Sequence, residues 1–513
     1  MSRFAMLTTS RKFYVTTPIY YVTAEPHIGT AYTTIAADVL ARYYRMMGDE
    51  VFFLTGTDEH GQKIARAAKE QNLQPQELVD RLAPKYQEVW KSLDITNDYF
   101  IRTTDPAHQQ SVQALFRKII EQGDIYKAQY RGWYCNPCER YVLEKDSPEH
   151  LCPVCRRPSE FIEEENYFFR LSKYQEQMLR HLEAHPDFIQ PTSRYNEILN
   201  RVKMGLEDVS VSRAAFTWGV PMPDDPKQSI WVWFDALINY ISAIGYPQEP
   251  ERFQKFWPAD IHLIAKDILW FHAVIWPCML FSAGLPPPKK IYAHGWWTMN
   301  ATKISKSKGN MIYPREVVAR VGVDGLRYFM MREIPFGADG DFSYDALLSR
   351  YNNDLGNDLG NLLLRTLTMI EKYFQGLIPK PDINNTESLC REIEALPQPV
   401  AKAFEQFQFS LVLEKIWVVI RKTNKYIDDE KPWVLAKSDR ERLKKVLYTV
   451  AETIRIISFY LFPFIPQSAS KILNQLGLSD QIQAQKLTEL VVWGGIPDGC
   501  PIKKGPALFP KTE

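Results

Sequence analysis

Four cysteines are spaced as ligands for a single metal ion. Cys135, Cys138, Cys152 and Cys155 form two Cys-x2-Cys pairs separated by thirteen residues. Each pair can present two thiolates from a tight turn, and four thiolates complete a closed tetrahedron without an open position for water. We therefore predict a structural metal site, with zinc as the default. An iron–sulfur centre and four unmetallated thiols are the alternatives, and His150 could replace one ligand, although we expect it to be solvated.

A short loop carries an unusual density of lysine and serine. Residues 303–308 hold Lys303, Ser305, Lys306, Ser307 and a further lysine. Ammonium groups can neutralise a triphosphate, and hydroxyls add hydrogen-bond donors. The Gly-x4-Gly-Lys spacing of a P-loop is absent. The loop predicts a phosphate site of another kind, with a lysine-rich surface turn as the alternative.

Residues 14–32 have the order of an α/β nucleotide site. A β-branched and aromatic run predicts a strand, a turn with proline and glycine follows, and a helical pattern begins near residue 31. His27 and Gly29 lie at this junction, where a helix N-terminus offers N–H groups and a positive dipole end to phosphate. A second apolar strand, residues 51–56, runs into the polar cluster 57–61. Ligands bind at that edge of open parallel sheets.

These elements predict an α/β fold with additions. We expect a Rossmann-type parallel-sheet domain, interrupted by an insertion with a metal knuckle and followed by an all-α helical bundle. The expected boundaries are residues 1–120 and 227–290 for the two halves of the sheet domain, 121–226 for the insertion, 291–350 for the lysine-loop region, 351–495 for the bundle and 496–513 for a tail packed over the surface. No strand is expected between residue 351 and the end of the bundle.

Composition narrows the class of protein. The 513 residues include 45% hydrophobic and 24% charged residues, which is ordinary for a globular protein, and the net charge of +1 gives no global sign of a nucleic-acid partner. Seven cysteines, four of them clustered, favour metal binding in a reducing compartment over a disulfide scaffold.

A membrane location is not expected. Residues 268–285 are largely apolar, but His272, Pro277 and the preceding charged pair 266–267 favour a buried helix over a membrane span. The N-terminus lacks the apolar core of a signal peptide. It is basic and free of acids, which leaves a transit peptide as an alternative to a cytoplasmic location.

Two motifs together carry a family resemblance. His27-Ile28-Gly29-Thr30 resembles the first signature of class I aminoacyl-tRNA synthetases, His-x-Gly-His, and residues 303–307 resemble the second, Lys-Met-Ser-Lys-Ser. Their order and separation fit that class. The finer pattern resembles the methionyl-tRNA synthetases of the bacterial type across nearly the whole chain. It is carried by residues 17–21, 55–61, 232–237, 266–268 and 431–433, and by the cysteine insertion.

The resemblance implies a reaction. L-methionine would be activated with ATP and Mg²⁺ to methionyl-adenylate and pyrophosphate, then transferred to the 3′-terminal adenosine of tRNA(Met), including the initiator. The methionine carboxylate attacks the α-phosphorus in line, so catalysis is positioning plus charge stabilisation. A non-catalytic tRNA-binding relative and a synthetase for leucine or isoleucine are the alternatives, although the latter usually carry a larger editing insertion. Without a recognisable C-terminal oligosaccharide-fold module, we expect a monomer.

The resemblance also assigns the substrate sites. The expected methionine site comprises Ile19, Tyr21, Asp58, Trp233, Ala236, Leu237, Tyr240, Ile268 and His272. Asp58 would hold the ammonium group, and aromatic walls suit the polarisable sulfur; ordinary core packing is the alternative for the aromatics. The expected ATP site comprises His27, Gly29, Thr30, Asp267, His294, Gly295, Lys303, Ser305, Lys306 and Ser307. In it, Asp267 would bind ribose, residues 294–295 would recognise adenine, and the lysines would stabilise pyrophosphate.

Thr30 departs from the signature, which has histidine at this position. We expect activity to be retained, because His27 and the helix dipole remain, and we count His27, Gly29, Thr30, Lys303 and Lys306 as the catalytic group.

In the bundle, the resemblance makes Asn361, Arg365 and Trp433 anticodon readers. An aromatic ring can stack on an unpaired base, and polar side chains read its edge. Trp433 is alternatively a packing residue at a helix start. Arg421, Lys422 and Lys425 could contact backbone phosphate, with a solvated helix face as the alternative.

Overall fold

The chain begins as a parallel α/β unit. The computed structural model describes residues 11–138, 140–142, 147, 149–153, 155–214, 218–299, 302–304, 311–381, 388–478 and 486–512. The first elements are β1 (Lys12–Tyr21), α1 (Ile28–Met46), β2 (Glu50–Asp58), α2 (Gln62–Glu70), α3 (Pro75–Ser92), β3 (Tyr99–Arg102) and α4 (Pro106–Glu121).

The insertion follows as mixed structure. It contains β4 (Ile125–Cys135), β5 (Arg140–Val142), β6 (Glu160–Phe169), α5 (Gln175–Ala184), β7 (Ile189–Gln190), α6 (Thr192–Lys203), β8 (Val209–Ser210), β9 (Ser212–Arg213), β10 (Pro221–Met222) and β11 (Asp225–Ile230). An antiparallel sheet in the order β5-β4-β6-β8 is its largest part, and Cys135 of the first cysteine pair is the last residue of β4.

The α/β unit then resumes. Its elements are α7 (Val232–Leu237), α8 (Asn239–Ser242), α9 (Pro250–Phe256), β12 (Ile261–Ala265), α10 (Trp276–Ser282), β13 (Ile291–His294), β14 (Trp297–Met299), β15 (Thr302–Lys303), α11 (Pro314–Arg332), β16 (Gly340–Asp341) and α12 (Tyr344–Ser349). A π-helical segment, Phe271–Ile275, leads into α10. The predicted buried helix is confirmed, and among the described residues no helix is long and apolar enough to cross a membrane.

The C-terminal part is the expected helical bundle. A second π-helical segment, Arg350–Gly360, opens it. The further elements are α13 (Asn361–Phe374), β17 (Leu377–Ile378), α14 (Ser388–Ala395), α15 (Pro397–Glu405), α16 (Phe409–Glu430), α17 (Pro432–Ser438), α18 (Arg440–Leu461), α19 (Pro466–Gln475), α20 (Leu487–Leu490) and β18 (Cys500–Pro501).

The bundle and the tail share one small pair of strands. β17 pairs antiparallel with β18, so the expectation of no strand before the end of the bundle is wrong at Leu377–Ile378. Two residues are too few to show a period of two. The tail packs as expected, because Ile496, Cys500 and Phe509 are buried in the same core as the bundle.

The central sheet confirms the Rossmann-type arrangement. Six parallel strands lie in the order β3-β2-β1-β12-β13-β7. Adjacent residues of β1 point to opposite faces of the sheet and so belong to different cores. Val15 joins the core shared with α1 and the bundle, whereas Tyr14 joins the core on the other face. The edge strand β7 comes from the insertion, so the insertion extends the catalytic sheet instead of standing apart from it.

A buried ion pair joins the back of α1 to the rest of the molecule. Arg327 of α11 and Asp38 of α1 are fully buried, with Nη2 2.6 Å from the Asp38 carboxylate. Arg327 also donates to the carbonyls of Leu93 at 3.0 Å, Pro463 at 2.9 Å and Phe464 at 2.9 Å. Burial would raise the pKa of Asp38, but Arg327 and Arg42 outweigh it and hold that pKa below its ordinary value. One guanidinium therefore ties α1, α3, α11 and the bundle together.

Replacing this guanidinium should destabilise the fold strongly. Arg327→Met removes one of the positive charges that balance the buried Asp38 carboxylate, and it leaves three carbonyls without their hydrogen-bond donor. The variant should therefore lower the free energy of unfolding by about 3–5 kcal/mol. Arg315→Met, which removes an exposed ion pair with Glu25, is the matched control and should cost under about 1 kcal/mol. Urea unfolding of the two variants measures the difference, and equal shifts of the midpoint would contradict this role for Arg327.

Candidate active site

The turn between β1 and α1 is built around His27. His27 is the N-cap of α1, with extended φ and ψ of −111° and 174°. Its Nδ1 accepts a hydrogen bond from the Gly29 N–H at 3.0 Å. Because Nδ1 accepts, the hydrogen of the neutral ring is on Nε2, which makes that nitrogen a donor. The sequence of the turn therefore selects the tautomer of its histidine.

Gly29 is required by this arrangement. A Cβ at position 29 would lie 2.9 Å from Cε1 and 3.1 Å from Nδ1 of His27. Any larger residue would push the imidazole away from the helix N-terminus. Gly29 acts by making room for the ring that folds back over it.

Thr30 is the third residue of α1 and completes a capping box. Its hydroxyl accepts from the His27 N–H at 3.0 Å and donates to the His27 C=O at 2.7 Å. Both hydrogen bonds hold the backbone of the histidine. The hydroxyl that we expected to contact ATP phosphate is thus engaged with the main chain of His27 in this structure.

The residues flanking the lysine loop contact the first signature. The Ile28 N–H donates to the Ile312 carbonyl at 2.9 Å. Glu25 forms ion pairs with Arg315 at 3.0 Å and with Lys85 at 3.2 Å. The backbone of Lys303 belongs to β15. Ser305, Lys306 and Ser307 lie outside the described residues.

The expected methionine residues converge beside β1. Tyr21 is paired in register with Asp58 at the ends of β1 and β2. Asp58 is 4% exposed, and the other expected residues divide into two groups. The buried members are Ala236, Leu237, Tyr240 and His272, and the half-buried members are Ile19, Tyr21, Trp233 and Ile268. Leu237 and Tyr240 belong to one hydrophobic core, and all four half-buried residues pack against that core.

Two of the buried residues in this group, Tyr240 and His272, are polar but uncharged. The Tyr240 hydroxyl lies 2.8 Å from His272 Nε2, and His272 Nδ1 lies 3.0 Å from the Ile268 carbonyl. The carbonyl can only accept, so Nδ1 donates to it and Nε2 accepts from Tyr240. Burial lowers the pKa of His272 to about 4. The ring is therefore neutral at physiological pH and suits an apolar thioether.

Trp233, one of the expected methionine residues, forms an aromatic pair with Phe271. The ring of Trp233 stacks on Phe271 at 3.8 Å between centroids, with planes 5° apart. Phe271 belongs to the π-helical segment that also carries His272. Sequence reasoning missed Phe271, because its position within an apolar run gave no signal distinct from core packing.

The expected adenosine residues lie at the ends of β12 and β13. Asp267 Oδ1 accepts from the Trp296 indole N–H at 3.3 Å. His294 is 3% exposed, with Nε2 2.7 Å from the Thr33 hydroxyl and Nδ1 2.7 Å from the Gly295 carbonyl. Both ring nitrogens thus have protein partners, and burial lowers the pKa of His294 to about 4.

Gly295 marks a close approach of two backbones. A Cβ there would lie 2.2 Å from the Ala338 carbonyl oxygen. Only glycine lets the chain after β13 pass residues 338–339.

The four cysteines are gathered as predicted. Their Sγ atoms all lie within 4.8 Å of one another, with Cys135 and Cys155 3.6 Å apart. Tetrahedral zinc with bonds of about 2.3 Å needs sulfur separations of about 3.8 Å. The thiols of Cys135 and Cys152, followed by burial, raise the pKa of Cys138, and this crowding is what a cation would relieve. His150 does not join the group; it is half-buried and stacks on Trp133 at 3.9 Å between ring centroids.

The expected anticodon residues lie on one part of the bundle. Asn361 and Arg365 are on α13, and Trp433 is 45% exposed at the start of α17. Arg365 pairs with Asp428 at 2.7 Å. The basic residues Arg421, Lys422 and Lys425 each pair with an acid, at 2.9, 2.6 and 2.8 Å.

Known proteins match this arrangement along the whole chain. The family model for class I tRNA synthetases (M) matches residues 13–160 and 144–367, and the model for the anticodon-binding domain of methionyl tRNA ligase matches residues 382–513. The chain is 51% identical over 508 residues to the methionine–tRNA ligase of Caldanaerobacter subterraneus subsp. tengcongensis, covering 98% of this chain and 79% of that one.

The chain belongs to the methionyl-tRNA synthetase family. It is 49% identical to the methionine–tRNA ligase of Thermotoga maritima, with 98% of this chain and 80% of the relative covered. Among solved structures, methionyl-tRNA synthetase of Mycobacterium tuberculosis in complex with methionyl-adenylate superposes with a TM-score of 0.94 at 40% identity, covering 98% of this chain and 100% of that one. The protein is thus a methionine–tRNA ligase, and the leucine or isoleucine alternative is wrong.

Membership in the methionyl-tRNA synthetase family leaves the role of Thr30 to experiment. Thr30→Val removes both hydrogen bonds to His27 at nearly constant volume and should lower the rate of methionine-dependent ATP–pyrophosphate exchange about fivefold, equivalent to about 1 kcal/mol of a lost cap. Thr30→Ser keeps the hydroxyl and should stay within about twofold. A gain of about a hundredfold in Thr30→His would show instead that a second histidine supplies charge stabilisation that the cap does not replace.

Proposed function

We propose that this methionine–tRNA ligase joins its substrates at the carboxyl end of β1. The observation that carries the proposal is that expected substrate residues lie close to the end of one strand. Tyr21 and Asp58 are paired in register at the ends of β1 and β2, and His27, which follows β1 along the chain, caps α1. Methionine bound at Tyr21 and Asp58 would present its carboxylate to ATP bound at His27, which is the positioning that an in-line attack on the α-phosphorus requires.

On the methionine side, Asp58 binds the ammonium group. The buried floor of Tyr240 and His272 accepts the thioether, with Ala236, Leu237 and Ile268 around it. The stacked rings of Trp233 and Phe271, together with Ile19 and Tyr21, close the wall. Support comes from the neutral state of His272 and from the hydrophobic core that most of these residues share.

On the ATP side, His27 donates through Nε2 to a phosphate oxygen. The N–H groups at the start of α1 add their dipole. Thr30 acts on the phosphates through the backbone of His27, because its hydroxyl is held in the capping box. Asp267 binds the ribose, and the main chain at 294–295 receives adenine. Lys303, Ser305, Lys306 and Ser307, with Mg²⁺, neutralise the departing pyrophosphate.

The bundle recognises tRNA(Met), including the initiator. Trp433 presents an exposed ring for stacking, and Asn361 and Arg365 offer polar edges for base reading. The ion pair of Arg365 with Asp428 keeps the guanidinium in place until a base replaces the carboxylate. The ion-paired residues Arg421, Lys422 and Lys425 support the alternative of a solvated helix face over phosphate contact. We propose that the enzyme acts as a monomer in the cytoplasm.

Catalysis and tRNA recognition should separate in two variants. Trp233→Ala removes a wall of the methionine pocket and should raise the KM for methionine about tenfold or more in ATP–pyrophosphate exchange. Trp433→Ala, the matched control, should leave exchange unchanged, because exchange needs no tRNA, and should lower aminoacylation through a higher KM for tRNA. An unchanged KM for methionine in Trp233→Ala would overturn the proposed pocket.

Zinc should be bound by the cysteines as a structural ion. Cys135, Cys138, Cys152 and Cys155 provide four thiolates and no open position. We expect about one zinc per chain by atomic emission, and in Cys138→Ser we expect loss of zinc with a lower thermal midpoint of unfolding. Cys278→Ser, at a buried cysteine outside the group, is the control and should keep its zinc. Iron in place of zinc, or no metal, would contradict the assignment.

A further inference from the structure

A buried carboxylate lies within the helix that lines the methionine pocket. Asp235 is fully buried in α7, between Trp233 and Ala236. One oxygen lies 2.7 Å from His60 Nδ1, and the other lies 2.9 Å from His108 Nε2. His60 is 3% exposed and His108 is 1% exposed. None of the three residues belongs to the proposed substrate contacts.

The carboxylate keeps its charge in spite of burial. Burial alone would raise the pKa of Asp235, but the two histidines outweigh it and lower that pKa to about 2. An ionised carboxylate without water must keep its hydrogen bonds, because losing one leaves a buried charge undercompensated. Both contacts are therefore obligatory in the folded state.

The charge of the Asp235 carboxylate determines which nitrogen of each histidine ring carries hydrogen. An ionised carboxylate can only accept, so His60 Nδ1 and His108 Nε2 both carry hydrogen. The other nitrogen of His108 lies 2.8 Å from the Ser242 hydroxyl of α8. His108 is thus held at both ends between α7 and α8.

The network joins the two sides of the methionine pocket. His60 follows β2 by two residues and lies two residues from Asp58, which binds the ammonium group. Helix α7 carries the apolar wall, has only six residues and has no side-chain cap. So short a helix cannot fix its own position. The bond between His60 and Asp235 therefore sets how far the wall lies from Asp58.

The His60 side of this bond is itself immobilised. Glu59 is fully buried and pairs with Arg102 at 2.8 Å. The Glu59 carbonyl accepts from the Trp218 indole at 2.7 Å, and the Gly61 N–H donates to the Trp218 carbonyl at 3.1 Å. The segment after β2 is thus a fixed reference against which α7 is placed.

We infer that His60, Asp235 and His108 are positioning residues that set the width of the methionine pocket. They touch neither substrate and act through Asp58 on one side and Trp233 on the other. The inference rests on the proposed methionine site. It predicts that loosening the network weakens methionine binding while the ATP side, built on α1 and β13, keeps its geometry.

Paired substitutions test the inference in the full-length enzyme. His60→Leu and His108→Leu remove the donors and should raise the KM for methionine about tenfold in ATP–pyrophosphate exchange, with the KM for ATP within about twofold of wild type. His60→Asn places an amide N–H near Nδ1, and His108→Gln places one near Nε2. Both conservative variants should restore the KM for methionine to within about threefold of wild type.

Asp124→Asn is the matched control. Asp124 is another buried carboxylate, bound by Lys173, Tyr174 and Ser282, away from α7. It should lower the thermal midpoint of unfolding without changing either KM. Equal changes in both KM values for the leucine variants, or a rise in the KM for methionine in Asp124→Asn as large as theirs, would show a general structural role and overturn the inference.

Two further measurements keep the test decisive. If a leucine variant does not fold, His60→Gln replaces it, because its longer amide cannot reach the Nδ1 position, and it should raise the KM for methionine where His60→Asn does not. Trp233→Ala separates the inference from the proposed pocket. If Trp233→Ala raises the KM and the histidine variants do not, the pocket stands and the inference fails; if Trp233→Ala has no effect, the pocket itself fails.

Discussion

The orientation of α1 is the constraint on which the active site depends. In the proposed function its N-terminus points at phosphate, so a small rotation of the axis would move His27 away from the ligand. The helix is held at its N-terminus, where Ile28 bonds to Ile312, and near its middle, where Asp38 pairs with Arg327. Arg327 also binds the bundle through the carbonyls of Pro463 and Phe464. Helix α1 and the bundle are therefore fixed by the same guanidinium, and they also share one hydrophobic core.

Charge is distributed around the methionine pocket in a pattern that suits an apolar side chain with a charged head group. In the proposed site, buried Asp58 is the carboxylate for the ammonium group, and Asp235 lies within α7 with both oxygens bound by histidines. Between them, the floor of Tyr240 and neutral His272 carries no net charge. The Tyr240 hydroxyl and both ring nitrogens of His272 have partners within the protein, so a thioether that packs on them displaces no hydrogen bond from them. Selectivity for methionine then depends on the shape of the pocket, and hence on whatever fixes the distance between α7 and β2.

The sequence allowed much of this to be predicted where the signal is local. Each of these signals comes from residues that are close together in the sequence: the cysteine spacing, the strand–turn–helix around His27 and the periodicity of the bundle. The structure confirms the fold that they indicate. The features that were missed join distant residues. His60 and Asp235 are 175 positions apart, and the residues next to them in the sequence do not indicate that the two side chains are in contact. The edge strand β7 has two residues, too few for a period, and its pairing with β13 depends on how the insertion folds back. Phe271 was hidden because a pocket wall and a core have the same composition.

Thr30 bonds to the backbone of His27 at the position where the family signature has a second histidine. A second histidine at this position would offer another donor to phosphate. Threonine gives up that donor and uses its hydroxyl twice on the backbone of His27, as acceptor and as donor. With Gly29 making room for the ring and donating to Nδ1, three consecutive contacts fix one imidazole in one tautomer. A donor that needs no reorganisation stabilises developing charge better than a mobile one. In the proposed function, Thr30 therefore preorganises His27 and is not itself a phosphate ligand, a role that follows from the hydrogen bonds of the turn and not from the signature motif alone.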